Sequence, residues 1–159
     1  MNGHFSTSAD EKSQGRKAND SGSKLERHVK DLLTRYKVDF KPQHEIPVYT
    51  ELVETAKVDF YVYPNQLLQF SDGLIIECKR QDTEGSADVK IVWTHELIKH
   101  HLPHPAIVVV DGKRARKAEK YLQKRIGGNL RAVIRYAELE SWIRERVRVV
   151  GDNGYLPFS

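Results

Sequence analysis

The chain has 159 residues, 39% of them hydrophobic and 30% charged, with a formal net charge of +4 and an isoelectric point near 9.1. That length suits one enclosed core without staples, and a lone cysteine, Cys78, excludes both an internal disulfide and a cysteine zinc cage. No run is long enough to span a bilayer and the first residues lack the apolar segment of a secretion signal, so the expectation is a cytoplasmic protein without a membrane partner. The mild positive excess permits a polyanionic partner without demanding one.

In chain order, residues 1–22 are polar and without periodicity, and read as a flexible polar tail before a single folded domain over residues 23–159. From Ser23, Leu25, Val29, Leu32, Leu33 and Tyr36 recur at helical spacing and predict an amphipathic helix ending near Tyr36, with Glu26 in its first turn. Two stretches rich in Val, Tyr and Phe, His44 to Val53 and Lys57 to Tyr63, predict an antiparallel hairpin. Turn signals in PNQLLQFSDG follow, and Gly73 opens a strand from Leu74 to Lys79. A helix starts after Ser86 with Val89, Val92, Trp93 and Leu97 as its apolar stripe, and Pro103 and Pro105 end it. AIVVVD, residues 106 to 111, has the unbroken β-branched character of a strand covered on both faces. The next helix buries Ala115, Ala118, Leu122 and Ile126, a short strand spans Arg131 to Arg135, and a last helix carries Leu139, Trp142, Ile143 and Val147. A meander followed by helical crossovers predicts an α/β fold with a mixed central sheet flanked by helices.

The strand GLIIECKRQ turns from apolar to charged at its end. Residues two apart share a face, so Glu77 and Lys79 project together with Ile75, and Leu74, Ile76 and Cys78 project the other way. In KVDFYVYP, Asp59 shares a face with Tyr61, opposite Val58, Phe60 and Val62. If the two strands pair, Asp59 meets Glu77 and Lys79. Two carboxylates that stay ionised together want a cation between them, and hard oxygen donors suit Mg²⁺. A lysine beside such a metal can hold or deprotonate a water, since desolvation and a neighbouring cation both lower its pKa, so the chemistry supported is metal-assisted attack of water on a phosphodiester. The competing reading is that charges ending a strand are merely solvated, since a Glu-x-Lys or Asp-x-Lys arises by chance about once in a chain this long.

With these residues in place, the sequence resembles the PD-(D/E)XK nuclease superfamily from about Lys24 to Asp111. The resemblance implies a restriction endonuclease-like α-β-β-β-α-β core, here followed by a C-terminal helix-strand-helix. Asp59 matches the motif's first acid, Glu77 its second and Lys79 its lysine, whereas Val58 stands where the name-giving proline would be. It also implies roles: Asp59, Glu77 and the backbone carbonyl of Cys78 as Mg²⁺ ligands with Mn²⁺ as a substitute, and Lys79 orienting the attacking water. Glu26 would serve a second ion or its water, the alternative being a helix N-terminal acid favoured by the macrodipole. Gln81 and Lys90 would touch phosphates near the scissile bond. The implied function is a Mg²⁺-dependent endonuclease acting on DNA, foremost in restriction-type double-strand cleavage, with homing, junction resolution and repair as further roles. Cutting both strands with so small a domain implies a homodimer. The alternative is a non-catalytic nucleic-acid-binding module with a degenerate nuclease fold.

Between Lys113 and Arg125 seven basic residues stand against one acid, Glu119. Lys113, Arg116, Lys117, Lys120 and Lys124 form one helical stripe, which is either a track for a nucleic-acid backbone or a solvated face. His95, His100, His101 and His104 lack the acid or cysteine partners of a zinc set. Trp93 and Trp142 read as core, and Cys78 as a small buried hydrophobe.

Overall fold

The computed structural model describes residues 8–48, 54–83 and 87–147, with backbone alone for 8–21 and 87. Its elements are α1 (Ser8–Arg35), β1 (Phe40–Pro47), β2 (Thr55–Val62), β3 (Leu74–Arg80), α2 (Ala87–His100), β4 (Ala106–Asp111), α3 (Ala115–Gln123), β5 (Leu130–Arg135) and α4 (Tyr136–Arg144). They follow the predicted order. The end of the first predicted strand, 49–53, lies outside the described residues.

One five-stranded sheet runs β1-β2-β3-β4-β5. The first three strands are antiparallel, and β3, β4 and β5 are parallel. The fold is therefore α/β, with a mixed central sheet and helices on both faces. Neighbouring residues of the central strands point into two different cores. Ile76, Ile107 and Val109 pack with Leu25, Val29 and Leu33 of α1 and Leu139 and Ile143 of α4. Ile75, Val108 and Val110 pack with Ile98 of α2 and Ala118 and Leu122 of α3. At about 1.5–3 kcal/mol for each large aliphatic side chain fully buried, β3 and β4 are the sheet's anchor. Among the described residues no helix is long and apolar enough to cross a membrane.

Several boundaries and faces differ from the sequence expectation. The α1 backbone is helical from Ser8, within the stretch read as a tail. Lys, Glu, Gln, Arg and Ala there are good helix formers, and extending a helix already nucleated by its packed C-terminal half costs little. Strand β1 starts at Phe40, and Pro42 is tolerated because β1 is an edge strand.

The larger correction is the rotation of α2. Val89, Val92 and Trp93 are 72%, 48% and 51% exposed, while Ile91, Thr94, His95 and Ile98 are buried. Both faces of this helix are apolar enough to be the inner one. Asp88 decides between them, because it accepts a hydrogen bond from Gln81 Nε2 at 3.1 Å and pairs with Lys117 Nζ at 2.8 Å. Holding Asp88 inward brings positions three, seven and ten further along, Ile91, His95 and Ile98, to the same side. Trp93 is thus not core. Ile126, predicted to be buried, lies beyond the end of α3 and is 43% exposed. Trp142 is half-buried against Phe70, with the Arg146 guanidinium over its ring.

Candidate active site

The β2–β3 ladder pairs Val62 with Leu74, Tyr61 with Ile75 and Phe60 with Ile76, and stops there. The next pair in register would be Asp59 and Glu77. In its place the two side chains supply the acceptors. The Asp59 main-chain N–H donates to Glu77 Oε1 at 3.2 Å, and the Cys78 main-chain N–H donates to Asp59 Oδ2 at 2.7 Å. Each carboxylate is thus fixed by a donor from the opposite strand, which also satisfies main-chain groups that the lost ladder would leave unpaired. Glu77 is held on its other side too, since β3 continues alongside β4 with Glu77 opposite Val108 and Lys79 opposite Val110.

On β1 the same level of the sheet is irregular. Pro42 pairs with Phe60 and His44 with Val58, but Gln43 and Asp59 drop out of the ladder between them. Gln43 has φ of +49°, a left-handed conformation that costs a non-glycine residue about 1–2 kcal/mol. The alternation expected for β2 breaks here as well: Val58 packs on the α2/α3 side, while Phe60 and Val62 pack on the α1/α4 side. Such interruptions re-aim side chains. The amide of Gln43 donates to Glu26 Oε2 at 2.9 Å and also favours the ionised form of Asp59.

Four ionisable groups therefore share this end of the sheet. Lys79 Nζ lies 3.2 Å from Glu77 Oε2, and the Glu77 side chain is only 9% exposed. Burial first and Asp59 second push the Glu77 carboxyl up to about 7, against the pull of Lys79. Asp59 is raised by burial, opposed by the Cys78 N–H, Lys79 and Gln43. Glu26 is raised by burial and by Asp59, with Lys79 opposing. Burial pulls the Lys79 ammonium down, but Glu77 and Asp59 more than offset it and the net movement is upward. One ammonium does not compensate the acids around it, which is the electrostatic condition that favours a further cation.

Residues 17–144 match the family model described as a PD-(D/E)XK nuclease superfamily domain. The chain belongs to that family. No curated protein and no solved structure matches it. In this PD-(D/E)XK domain Val58, the residue before Asp59, is fully buried in the α2/α3 core. Cys78 is half-buried against the α1/α4 core, and burial pushes its thiol well above the ordinary range, in keeping with a packing role.

The remaining predicted residues lie elsewhere. Gln81 is buried, its N–H donating to the Asp111 carbonyl at 2.9 Å and its carbonyl accepting from the Arg114 N–H at 2.8 Å. With its side chain on Asp88, it ties β3 to β4, α2 and the approach to α3, and among the described residues its Oε1 has no partner. Lys90 is exposed on α2. Of the basic stripe, Arg116, Lys117 and Lys120 are exposed on α3, Lys124 on its C-terminal cap and Lys113 in the preceding turn, with Lys117 paired to Asp88. His95 is buried edge-on to Tyr121, and His100 and His101 flank Glu96 at 3.9 Å. Among the described residues no three His, Cys, Asp or Glu side chains form a metal cage.

Sequence reasoning passed over Gln43 and Arg80. Arg80 pairs with Asp82 and Asp111, each at 2.9 Å. Its partner Asp111 follows from the parallel β3–β4 register, and only the adjacent acid in KRQD hinted at the other.

Proposed function

We propose that this domain is a divalent-metal-dependent endonuclease that hydrolyses DNA phosphodiester bonds, with restriction-type double-strand cleavage as its action and a homodimer as its working form. The observation that carries the reading is the meeting of Asp59 and Glu77 in register, each anchored by a main-chain donor, with Lys79 beside them. The donor set fits a hard cation such as Mg²⁺, or Mn²⁺ in its place: two carboxylates both raised by burial, Glu77 by Asp59 as well, with the rest of an octahedral shell left to main chain, water and substrate oxygens. Asp59, Glu77 and the Cys78 carbonyl would hold it, with Glu26 nearby for a second ion or a water. A bound Mg²⁺ supplies charge neutralisation at the phosphodiester and makes water a better nucleophile.

The protein's own contribution is orientation. Each anchored carboxylate commits one oxygen to a main-chain N–H, so Asp59 Oδ1 and Glu77 Oε2, the latter 3.2 Å from Lys79 Nζ, are the oxygens that would meet an ion. Lys79, kept cationic by its acidic neighbours, acts as a hydrogen-bond donor that holds the attacking water or a phosphate oxygen, not as a base. Lys90, Lys113, Arg116, Lys117, Lys120 and Lys124 would contact DNA phosphates, and Gln81 would act through Asp88 on the α2/α3 surface that carries several of them. One such site cuts one strand, so cleavage of a duplex needs two copies.

The test is incubation of supercoiled plasmid with Mg²⁺ and wild-type, Glu77→Ala or Lys79→Ala protein. Nicking or linearisation by wild type alone is the expected result. Equal cleavage by the Lys79→Ala variant would remove the assignment, and DNA binding in EDTA without cleavage in Mg²⁺ or Mn²⁺ would leave a nucleic-acid-binding module.

A further inference from the structure

The left-handed residue on β1 faces the acids of the site, and nothing in the motif accounts for it. Gln43 follows Pro42, sits at φ of +49° and is the one position between Phe40 and Pro47 of β1 with no partner on β2. A glutamine gains nothing from that conformation in itself, because only glycine, and less often asparagine or aspartate, adopts it cheaply. Strain of this kind persists where the surroundings fix it, and it concentrates at functional positions. Here it directs one amide at two acids from different elements, Glu26 of α1 at 2.9 Å and Asp59 of β2. The contact spans two elements, from the edge strand to the helix, so the amide fixes where the Glu26 carboxylate sits relative to the sheet. The amide is uncharged, so it can hold these carboxylates without competing as a cation for the place between them.

We infer that Gln43 is a positioning residue: its amide holds Glu26 on the side of Asp59, from where the helix-borne acid would close onto a divalent ion held by the two strand-borne acids. This rests on the proposed metal-dependent reading and adds the β1 edge strand to the machinery. Donors that orient the ligands of a metal typically change its affinity by about 10- to 100-fold when removed.

Two variants separate positioning from backbone structure. Gln43→Asn keeps a residue that tolerates left-handed backbone, but its amide is one methylene shorter and falls short of Glu26. Gln43→Gly relieves the strain and removes the amide altogether. Mn²⁺ binding to the full chain is measured by titration calorimetry and by the loss of free-ion electron paramagnetic resonance signal, with circular dichroism melts in EDTA to establish folding. The expected result is that both variants melt cooperatively and bind Mn²⁺ about tenfold or more weakly than wild type, while Gln43→Glu, which keeps length but adds an acid, fails to restore wild-type stoichiometry and affinity together. Wild-type Mn²⁺ affinity in folded Gln43→Asn and Gln43→Gly would overturn the positioning role and leave the metal site standing. Absence of Mn²⁺ binding by the wild-type chain would overturn both.

Discussion

The buried carboxyl of Glu77 makes a prediction about stability that is independent of catalysis. Its pKa is raised from the ordinary 4.5 to about 7. A carboxyl with a higher pKa in the folded than in the unfolded chain binds its proton more tightly when folded. Its contribution is complete below pH 4.5, declines as pH rises and is gone above pH 7. At about 1.4 kcal/mol per pH unit, that is roughly 3 kcal/mol lost across the window by the metal-free protein. Asp59 and Glu26 are raised as well and add in the same direction, whereas Asp82 and Asp88 are lowered and titrate below this range. Glu77→Gln removes the titration but keeps the shape and an acceptor for the Asp59 N–H. Urea unfolding in EDTA at pH 5, 6, 7 and 8 should show the variant gaining on wild type by roughly 3 kcal/mol between the extremes, with the gain flattening above pH 7. Adding Mg²⁺ or Mn²⁺ at pH 8 should return the lost stability to wild type and not to the variant. A difference between the two proteins that stays constant from pH 5 to 8 would show that Glu77 is not held above its ordinary range, and the electrostatic basis of the cation site would fail.

Two other predictions test the frame around the site. Gly112 has φ of +107° and a Cβ there would collide with the Gln81 carbonyl oxygen, so Gly112→Ala should destabilise by about 2–4 kcal/mol and loosen the β3–β4–α3 junction, read by urea unfolding and by amide exchange at Gln81 and Arg114. On α2, Trp93→Ala should change stability by no more than about 0.5 kcal/mol, whereas Ile98→Ala, at a fully buried position, should cost about 2–5 kcal/mol, and the reverse ranking would mean the helix is rotated as its outer stripe suggested.

Much of the fold was legible because the central strands are written in unbroken apolar runs. The change to Glu77 and Lys79 at the end of β3, and the acid in KVDFYV, stand out against such runs, and the pairing of two neighbouring strands brings them to one end of the sheet even though the alternation of β2 breaks at Asp59. Where the sequence offered two answers, it could not choose. The outer residues Val89, Val92 and Trp93 make as good a stripe as Ile91, His95 and Ile98. The choice rests on Asp88 meeting Gln81 and Lys117, contacts that exist only once β3 and α3 are in place. The polar residues of the first part of α1 read alike as a tail and as a helix. Gln43 was invisible for a different reason: a left-handed residue is signalled by glycine or asparagine, and here the chain uses glutamine, whose side chain matters more than its backbone comfort.

The break in the ladder explains why these particular positions carry the acids. A residue inside an antiparallel ladder has its main-chain groups engaged by the neighbouring strand, and its side chain is placed by packing alone. At Asp59 and Glu77 the strands part, main-chain donors are released, and each carboxylate captures one from the opposite strand. The acids thereby become part of the sheet's hydrogen bonding and inherit its rigidity, which a loop could not give them. Lys79 in turn closes onto the remaining Glu77 oxygen, so in the metal-free protein the ammonium is the only positive charge among the described side chains paired with that carboxylate. Two carboxylates oriented in this way by the sheet itself would meet the proposed ion without rearrangement of Asp59 or Glu77.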